Sequence, residues 1–92
     1  MIRSFRHKGL RDLWQSGRSG KVDQRLHRRA LERFDALDAA ERPEDLDVPG
    51  YDFHALRGFR PTRYTIHVNG PICITFAFED GEALQVELEN YH

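Results

Sequence analysis

The residues best suited to chemistry lie in the second half of the chain. His54 falls in a predicted strand, Tyr91 and His92 are the last two residues, and the arginines around Gly58 and Pro61 are Arg57, Arg60 and Arg63. An imidazole can give or take a proton near neutral pH, and a guanidinium can offset the charge of a phosphate. These groups are sufficient in type to cleave RNA without a metal, because a base, an acid and a charge stabiliser are all present.

Each of these residues also has a simpler explanation. A single histidine in a strand is usually structural, and arginines beside glycine and proline commonly mark a solvated loop. The last residues of a chain normally fray. The residue types therefore permit RNA cleavage, with an aromatic ring to hold an unstacked base, but they do not require it.

A second candidate site combines His67, Cys73 and Glu89, which the strand register below places side by side. Each can bind zinc, but the set has only three ligands of mixed type and no closely spaced pair. As a nucleophile, Cys73 would need a lowered pKa, and the charge of Glu89 opposes that. We therefore expect no metal and no cofactor, and we interpret Cys73 as a small neutral side chain.

Length and composition limit the class of protein. The chain has 92 residues, of which 39% are hydrophobic and 32% charged, so we expect a single globular domain over residues 1–92. A single cysteine cannot form an internal disulfide. No apolar run is long enough to span a bilayer, and residues 1–10 lack the apolar segment of a signal peptide, so we predict a cytoplasmic protein.

Charge is distributed unevenly. Residues 1–42 contain eleven Lys or Arg and six Asp or Glu, whereas residues 43–92 contain three Arg and nine acids. The basic half is suited to a polyanion such as nucleic acid. Alternatively, its arginines only solvate the outer face of a helix; these are Arg25, Arg28, Arg29 and Arg33. Charge alone leaves both interpretations open.

Hydrophobic periodicity predicts two helices in the first half. Leu10, Leu13 and Trp14 indicate a helix over residues 7–15, and a longer one begins near residue 22 and ends before Pro43. We also expect a short strand over residues 1–5 and one tight turn over residues 43–46.

After residue 51 the period changes to two, which predicts antiparallel strands, including one over residues 53–57. Pairing apolar residues with one another requires three-residue turns. The expected pairs are Val68 with Ile72, Ile66 with Ile74, Phe78 with Leu84, and Ile74 with Leu88. The opposite face should then be polar and open. The predicted fold class is α+β, with a twisted antiparallel sheet and two N-terminal helices packed on one face.

Four segments carry a resemblance to a known family: residues 2–10 (IRSFRHKGL), residues 54–58 (HALRG), residues 74–81 (ITFAFEDG) and the terminal YH. Over its whole length the chain resembles the HigB branch of the RelE-like toxins. The resemblance implies the RelE-like microbial RNase fold and a toxin that cuts messenger RNA on the translating ribosome, without a metal. It also implies a HigA-like helix-turn-helix antitoxin as partner, with operator DNA bound only through that antitoxin.

The resemblance further implies roles for individual residues. His54 and His92 would transfer protons, Tyr91 would stack on or orient the RNA, and Arg57 would contact phosphate where the family usually has lysine. Two positions depart from the family pattern: Cys73 replaces the usual phosphate-binding arginine, and Asn90 replaces an aspartate. An alternative function is therefore an attenuated module that acts mainly by binding its antitoxin. A third is general RNA binding through the basic helix face.

Overall fold

The computed structural model describes residues 1–90, and the predictions for Tyr91 and His92 lie outside the described residues. Two helices, α1 (Lys8–Ser16) and α2 (His27–Ala39), precede four strands: β1 (His54–Leu56), β2 (Arg63–Asn69), β3 (Ile72–Glu79) and β4 (Glu82–Asn90). Short 3-10 turns cover Gln24–Leu26 and Pro43–Leu46. The predicted α+β fold is confirmed.

Each helix buries the apolar stripe that its sequence predicts. In α1, Leu10 and Leu13 are buried, and the helix ends where Gly17 takes a left-handed conformation and its N–H donates to the Leu13 carbonyl. In α2, Ala30, Phe34 and Leu37 are buried, and this helix packs against β2. The helix starts later than predicted, because the Asp23 side chain caps the 3-10 turn instead. Within residues 1–90, neither helix has the length and hydropathy that crossing a membrane requires.

The strands form one antiparallel sheet in the order β1-β2-β3-β4. The predicted pairs Ile66–Ile74 and Ile74–Leu88 are confirmed. The predicted pair Val68–Ile72 is wrong, because an irregularity between His67 and Asn69 places Asn69 opposite Ile72. One extra residue in a strand has this effect on the pairing beyond it.

The turn between β3 and β4 also differs from the prediction. Asp80 and Gly81 both have positive φ, 53° and 78°, and form a two-residue turn between paired Glu79 and Glu82. This turn places Ala83 opposite Phe78 and Leu84 opposite Ala77, so the predicted pair Phe78–Leu84 is wrong. A bulge at Gln85, whose φ is 52°, then restores the alternation and returns Val86 to the core.

The N-terminal segment runs beside β4 but does not form the predicted strand. It makes two isolated parallel bridges, Ile2 to Ala83 and Phe5 to Val86. The Gln85 bulge lies between them, and there the Ser4 hydroxyl accepts the Gln85 N–H in place of a backbone carbonyl. The bulge therefore interrupts what would otherwise be a continuous ladder.

Candidate functional site: a cleft beside His54

The sheet face opposite the helices is not open along its whole length, which corrects the sequence-based prediction. Thr65, Thr75, Cys73 and Ala77 are buried there, and Arg63 is only 4% exposed. The Arg63 side chain crosses β3 to reach the Gln85 carbonyl on β4 at 2.8 Å. A long side chain lying flat in this way covers the short ones beneath it.

Arg63 is part of a buried polar network. Its Nη2 atom also donates to Thr75 Oγ1 at 3.0 Å, and that hydroxyl in turn donates to Glu89 Oε2. A buried guanidinium needs hydrogen-bond acceptors and a compensating charge, and the hydroxyl and the carboxylate supply them in sequence. The network links β2, β3 and β4 beneath the polar face.

This face contains a cleft of about 400 Å³ at the β1 edge of the sheet, which we call the His54 cleft. Its lining combines two imidazoles and a thiol with apolar and backbone groups: Asp52, His54, Leu56, Thr65, His67, Gly70, Pro71, Ile72 and Cys73. The structure thus brings together three residues singled out in the sequence, His54, His67 and Cys73.

A backbone carbonyl orients His54. The residue is exposed at the start of β1, and its Nδ1 lies 2.9 Å from the Asp52 carbonyl oxygen. A carbonyl oxygen only accepts, so Nδ1 carries the hydrogen, and in the neutral ring Nε2 keeps its lone pair. Asp52 has a φ of 46°, a left-handed conformation that is uncommon outside glycine. Sequence reasoning missed Asp52, because a backbone carbonyl leaves no side-chain motif.

His67 is held from two sides. Its Nε2 lies 3.1 Å from the Gly70 carbonyl oxygen, and its backbone N–H donates to the Tyr51 carbonyl at 2.6 Å. From α2, Arg33 Nε donates to the His67 carbonyl at 2.9 Å, while the Arg33 guanidinium lies 4.4 Å from the centroid of the Tyr51 ring. The helix therefore fixes the strand segment on which one wall of the cleft is built.

Cys73 is 8% exposed at the base of the cleft. Burial raises the pKa of its thiol, and the nearby Glu89 carboxylate raises that pKa further, while a hydrogen bond with Thr65 acts in the opposite direction. A raised pKa keeps the thiol protonated near neutral pH, as the sequence analysis expected.

The predicted row of His67, Cys73 and Glu89 is confirmed as a strand register, since each pairs with the next across β2, β3 and β4. Among residues 1–90, however, no group of three or more histidine, cysteine, aspartate or glutamate side chains is placed to hold a metal ion.

The other predicted site residues within residues 1–90 do not line the cleft. Arg57 and Arg60 are exposed in the β1–β2 loop, residues 57–62, and no hydrogen bond or ion pair to another described residue is seen for either. Asn90 is exposed at the end of β4, opposite Ile72 of the cleft lining.

Comparison with known proteins identifies the family. The model of the HigB-like toxins, described as RelE-like toxins of type II toxin–antitoxin systems, matches residues 3–92. The chain belongs to this family. It is also 36% identical over 92 residues to the protein named Endoribonuclease HigB from Proteus vulgaris, and the alignment covers all of both chains. As a HigB-like toxin of a type II system, the protein has an antitoxin as partner.

The basic helix of this HigB-like toxin makes mostly structural contacts. Arg25 pairs with Asp23 at 2.8 Å, and Arg28 pairs with Glu32 at 3.6 Å. Arg29 donates to the Val68 carbonyl at 3.2 Å. With Arg33 bound to the His67 carbonyl, these contacts favour the structural explanation that charge alone left open.

A different charge pattern distinguishes the cleft region of the HigB-like toxin. Residues 53–78 contain three arginines and no aspartate or glutamate, although they lie within the acidic half of the chain. Dividing the sequence at Pro43 concealed this segment, which forms β1, β2 and most of β3. The charged residues of this segment are therefore all positive, although none of its arginines lines the cleft and Asp52 does.

Proposed function

We propose that this HigB-like toxin is an endoribonuclease that cleaves messenger RNA on the translating ribosome, without a metal, and so inhibits translation and arrests growth. The name of its Proteus vulgaris relative supports RNA cleavage. The cytoplasm is the compartment where such a reaction takes place. Its own residues support the proposal through the oriented imidazole of the His54 cleft and the exposed Arg57 and Arg60 of the loop that follows β1.

The His54 ring carries the argument. Because the Asp52 carbonyl engages Nδ1–H, the basic nitrogen Nε2 is available to take the proton of a ribose 2′-hydroxyl. The activated oxygen then attacks the adjacent phosphorus, and a second group protonates the departing 5′-oxygen. His54 is thus suited to be the general base.

We assign the acid to His92 and the orientation of the base to Tyr91, following the family resemblance. What supports this assignment is the position of Asn90 opposite Ile72, which lines the cleft. Two further residues span at most about 7 Å from that point. Asn90 and His67 are proposed as supporting residues.

The negative charge of the RNA phosphates is proposed to be offset by exposed arginines and, to a smaller extent, by a buried one. Arg57 and Arg60 are exposed and are proposed to contact phosphates directly. Arg63 lies below the surface and Glu89 offsets its charge through Thr75, so its proposed contribution to phosphate binding is limited to the residual electrostatic field of its guanidinium.

For partners, we propose a HigA-like helix-turn-helix antitoxin, with operator DNA bound only through it, and the ribosome with its mRNA. The basic face of α2 is the less favoured RNA surface, because Arg28 pairs with Glu32 while Arg29 and Arg33 donate to backbone carbonyls of β2.

The test is cleavage of mRNA on programmed ribosomes by the wild type and by His54→Asn. The asparagine amide can keep the hydrogen bond to the Asp52 carbonyl but cannot act as the base, so we expect a loss of about 10²- to 10⁴-fold with the fold intact. His7→Asn is the control, because His7 lies outside the cleft and pairs with Glu87 at 3.1 Å. Equal cleavage by His54→Asn would reject the base assignment. Cleavage of naked mRNA at the same rate would reject ribosome dependence.

One observation favours the alternative function, an attenuated toxin that acts mainly by binding its antitoxin. The thiol of Cys73 is neutral and buried where the family usually has an arginine, so it supplies no charge to the cleft. If this deficit limits the rate, Cys73→Arg should raise cleavage by roughly tenfold or more. A wild type that binds antitoxin tightly but cleaves nothing, with Cys73→Arg active, would favour the alternative.

A further inference from the structure

The β1–β2 loop presents an aromatic ring to solvent between two arginines. Phe59 is 47% exposed, and among residues 1–90 the other exposed large hydrophobic side chains are Met1 and Val48. Of these three, Phe59 is the one with an arginine close on each side, Arg57 before it and Arg60 after it.

Stability does not explain this ring. Phe59 is absent from the hydrophobic cluster that joins helices and sheet, and none of the aromatic pairs within residues 1–90 includes it. Phe53, on the other side of β1, by contrast stacks on Tyr64 with ring centroids 5.6 Å apart. An apolar ring left in water at a loop tip contributes little to folding and is free to bind something else.

The charges around Phe59 indicate an anionic partner. The loop lies within the acid-free segment of residues 53–78. Arg57 and Arg60 are both exposed, and within the described part of the chain no carboxylate is seen paired with them. The helix arginines Arg25 and Arg28 do have such carboxylates.

The loop also lies next to the proposed reaction site. It follows Leu56 directly, and Leu56 and His54 line the same cleft. Phe59 lies five positions after His54, so their Cα atoms are at most about 18 Å apart. A strand of RNA with its scissile bond at His54 is therefore long enough to reach Phe59 within a few nucleotides.

We propose that Phe59 stacks on an unpaired base of the RNA strand held in the His54 cleft, while Arg57 and Arg60 contact the phosphates on either side. Alternating aromatic and cationic contacts are how proteins hold single-stranded nucleic acid, because every base offers a flat face and every linkage a charge. This inference rests on the proposed function and adds a base-binding position to it.

A single-stranded oligoribonucleotide with 2′-O-methyl sugars, which prevent cleavage, and with 2-aminopurine as the reporter base provides the probe. Stacking on Phe59 should quench the fluorescence of 2-aminopurine in the wild-type complex. We expect Phe59→Leu to weaken binding by roughly 5- to 100-fold and to abolish the quenching, whereas Phe59→Tyr should retain both. As the control, Val48→Ala changes another exposed hydrophobic side chain in a loop, and its binding and quenching should match those of the wild type.

Three outcomes would overturn the inference: no quenching by the wild type, equal binding by Phe59→Leu, or a Phe59→Leu variant that loses antitoxin affinity but keeps RNA affinity. As a control for folding, each variant should have the same thermal unfolding midpoint as the wild type. Cleavage on programmed ribosomes separates this inference from the proposed function. Cleavage that is unaffected by Phe59→Leu, together with unchanged probe binding, rejects the stacking alone. Ring-dependent quenching by a protein that cleaves no mRNA supports the stacking and rejects the nuclease.

Discussion

The Nδ1 atom of His54 lies 2.9 Å from the backbone carbonyl oxygen of Asp52, and Asp52 holds that carbonyl in place with a φ of 46°. The proposed base is therefore oriented by backbone conformation. Residues that tolerate positive φ should preserve this geometry, and β-branched residues should not.

The first prediction follows from that contact. Asp52→Gly and Asp52→Asn should keep cleavage within a few-fold of the wild type, because both accept the left-handed conformation. Asp52→Val should reduce cleavage more than tenfold and destabilise the protein by about 1–3 kcal/mol. Cleavage assays and urea denaturation measure the two effects. Loss of activity in Asp52→Gly would instead assign a role to the carboxylate.

A second prediction concerns the buried hydroxyl of Thr75, which accepts from Arg63 and donates to Glu89. Thr75→Val keeps the shape but leaves both charged groups without this partner, so we expect a loss of about 2–3 kcal/mol in the free energy of unfolding. Thr75→Ser keeps the hydroxyl and should be closer to the wild type. Denaturant titration of both variants measures this difference. Equal free energies of unfolding for Thr75→Ser and Thr75→Val would mean that the network contributes nothing to stability.

The contact between α2 and the cleft wall gives a third prediction. Arg33 donates to the His67 carbonyl and also lies over the Tyr51 ring, a combination that needs a planar guanidinium. Arg33→Lys should therefore cost about 1 kcal/mol of stability. The matched change Arg28→Lys, at a side chain that is 93% exposed, should cost less than about 0.5 kcal/mol. Similar losses in both variants would contradict a specific role for Arg33.

The fourth prediction is a pH dependence that arises from Cys73. Burial raises the pKa of this thiol, so in alkaline solution the unfolded chain loses the proton before the folded protein does. Unfolding then becomes easier as the pH rises above the usual range of thiol ionisation. The free energy of unfolding should fall there in the wild type and less steeply in Cys73→Ala. Parallel pH profiles would show that the thiol does not titrate differently on folding.

Local signals predicted much of this fold, as individual elements illustrate. Leu10 and Leu13 mark α1 because a helix brings positions three apart to one face. Ile66 and Ile74 pair as predicted because one-sided burial sets the register of neighbouring strands. The departures occur at Gln85 and near Asn69, where a bulge changes which residues share a face.

The β3–β4 turn shows why such departures are hard to predict. Both a three-residue loop and an Asp80–Gly81 turn with a compensating bulge place Ile74 opposite Leu88. The two arrangements differ in the backbone conformation of Gln85, which has a positive φ in the structure. Glutamine has no preference for positive φ, so the sequence gives no sign of this bulge. The choice depends on the whole sheet and on the Ser4 hydroxyl that meets the Gln85 N–H.

The sequence by itself determined the α+β class, the helical stripes and the family, because these depend on residue types at fixed spacing. Tertiary structure alone decided that Arg63 is buried, that the polar face forms a cleft beside His54, and that the Asp52 carbonyl orients His54. Those properties depend on where a long side chain lies and where a backbone carbonyl points. Both are set by contacts between residues far apart in sequence, such as Arg63 with Gln85.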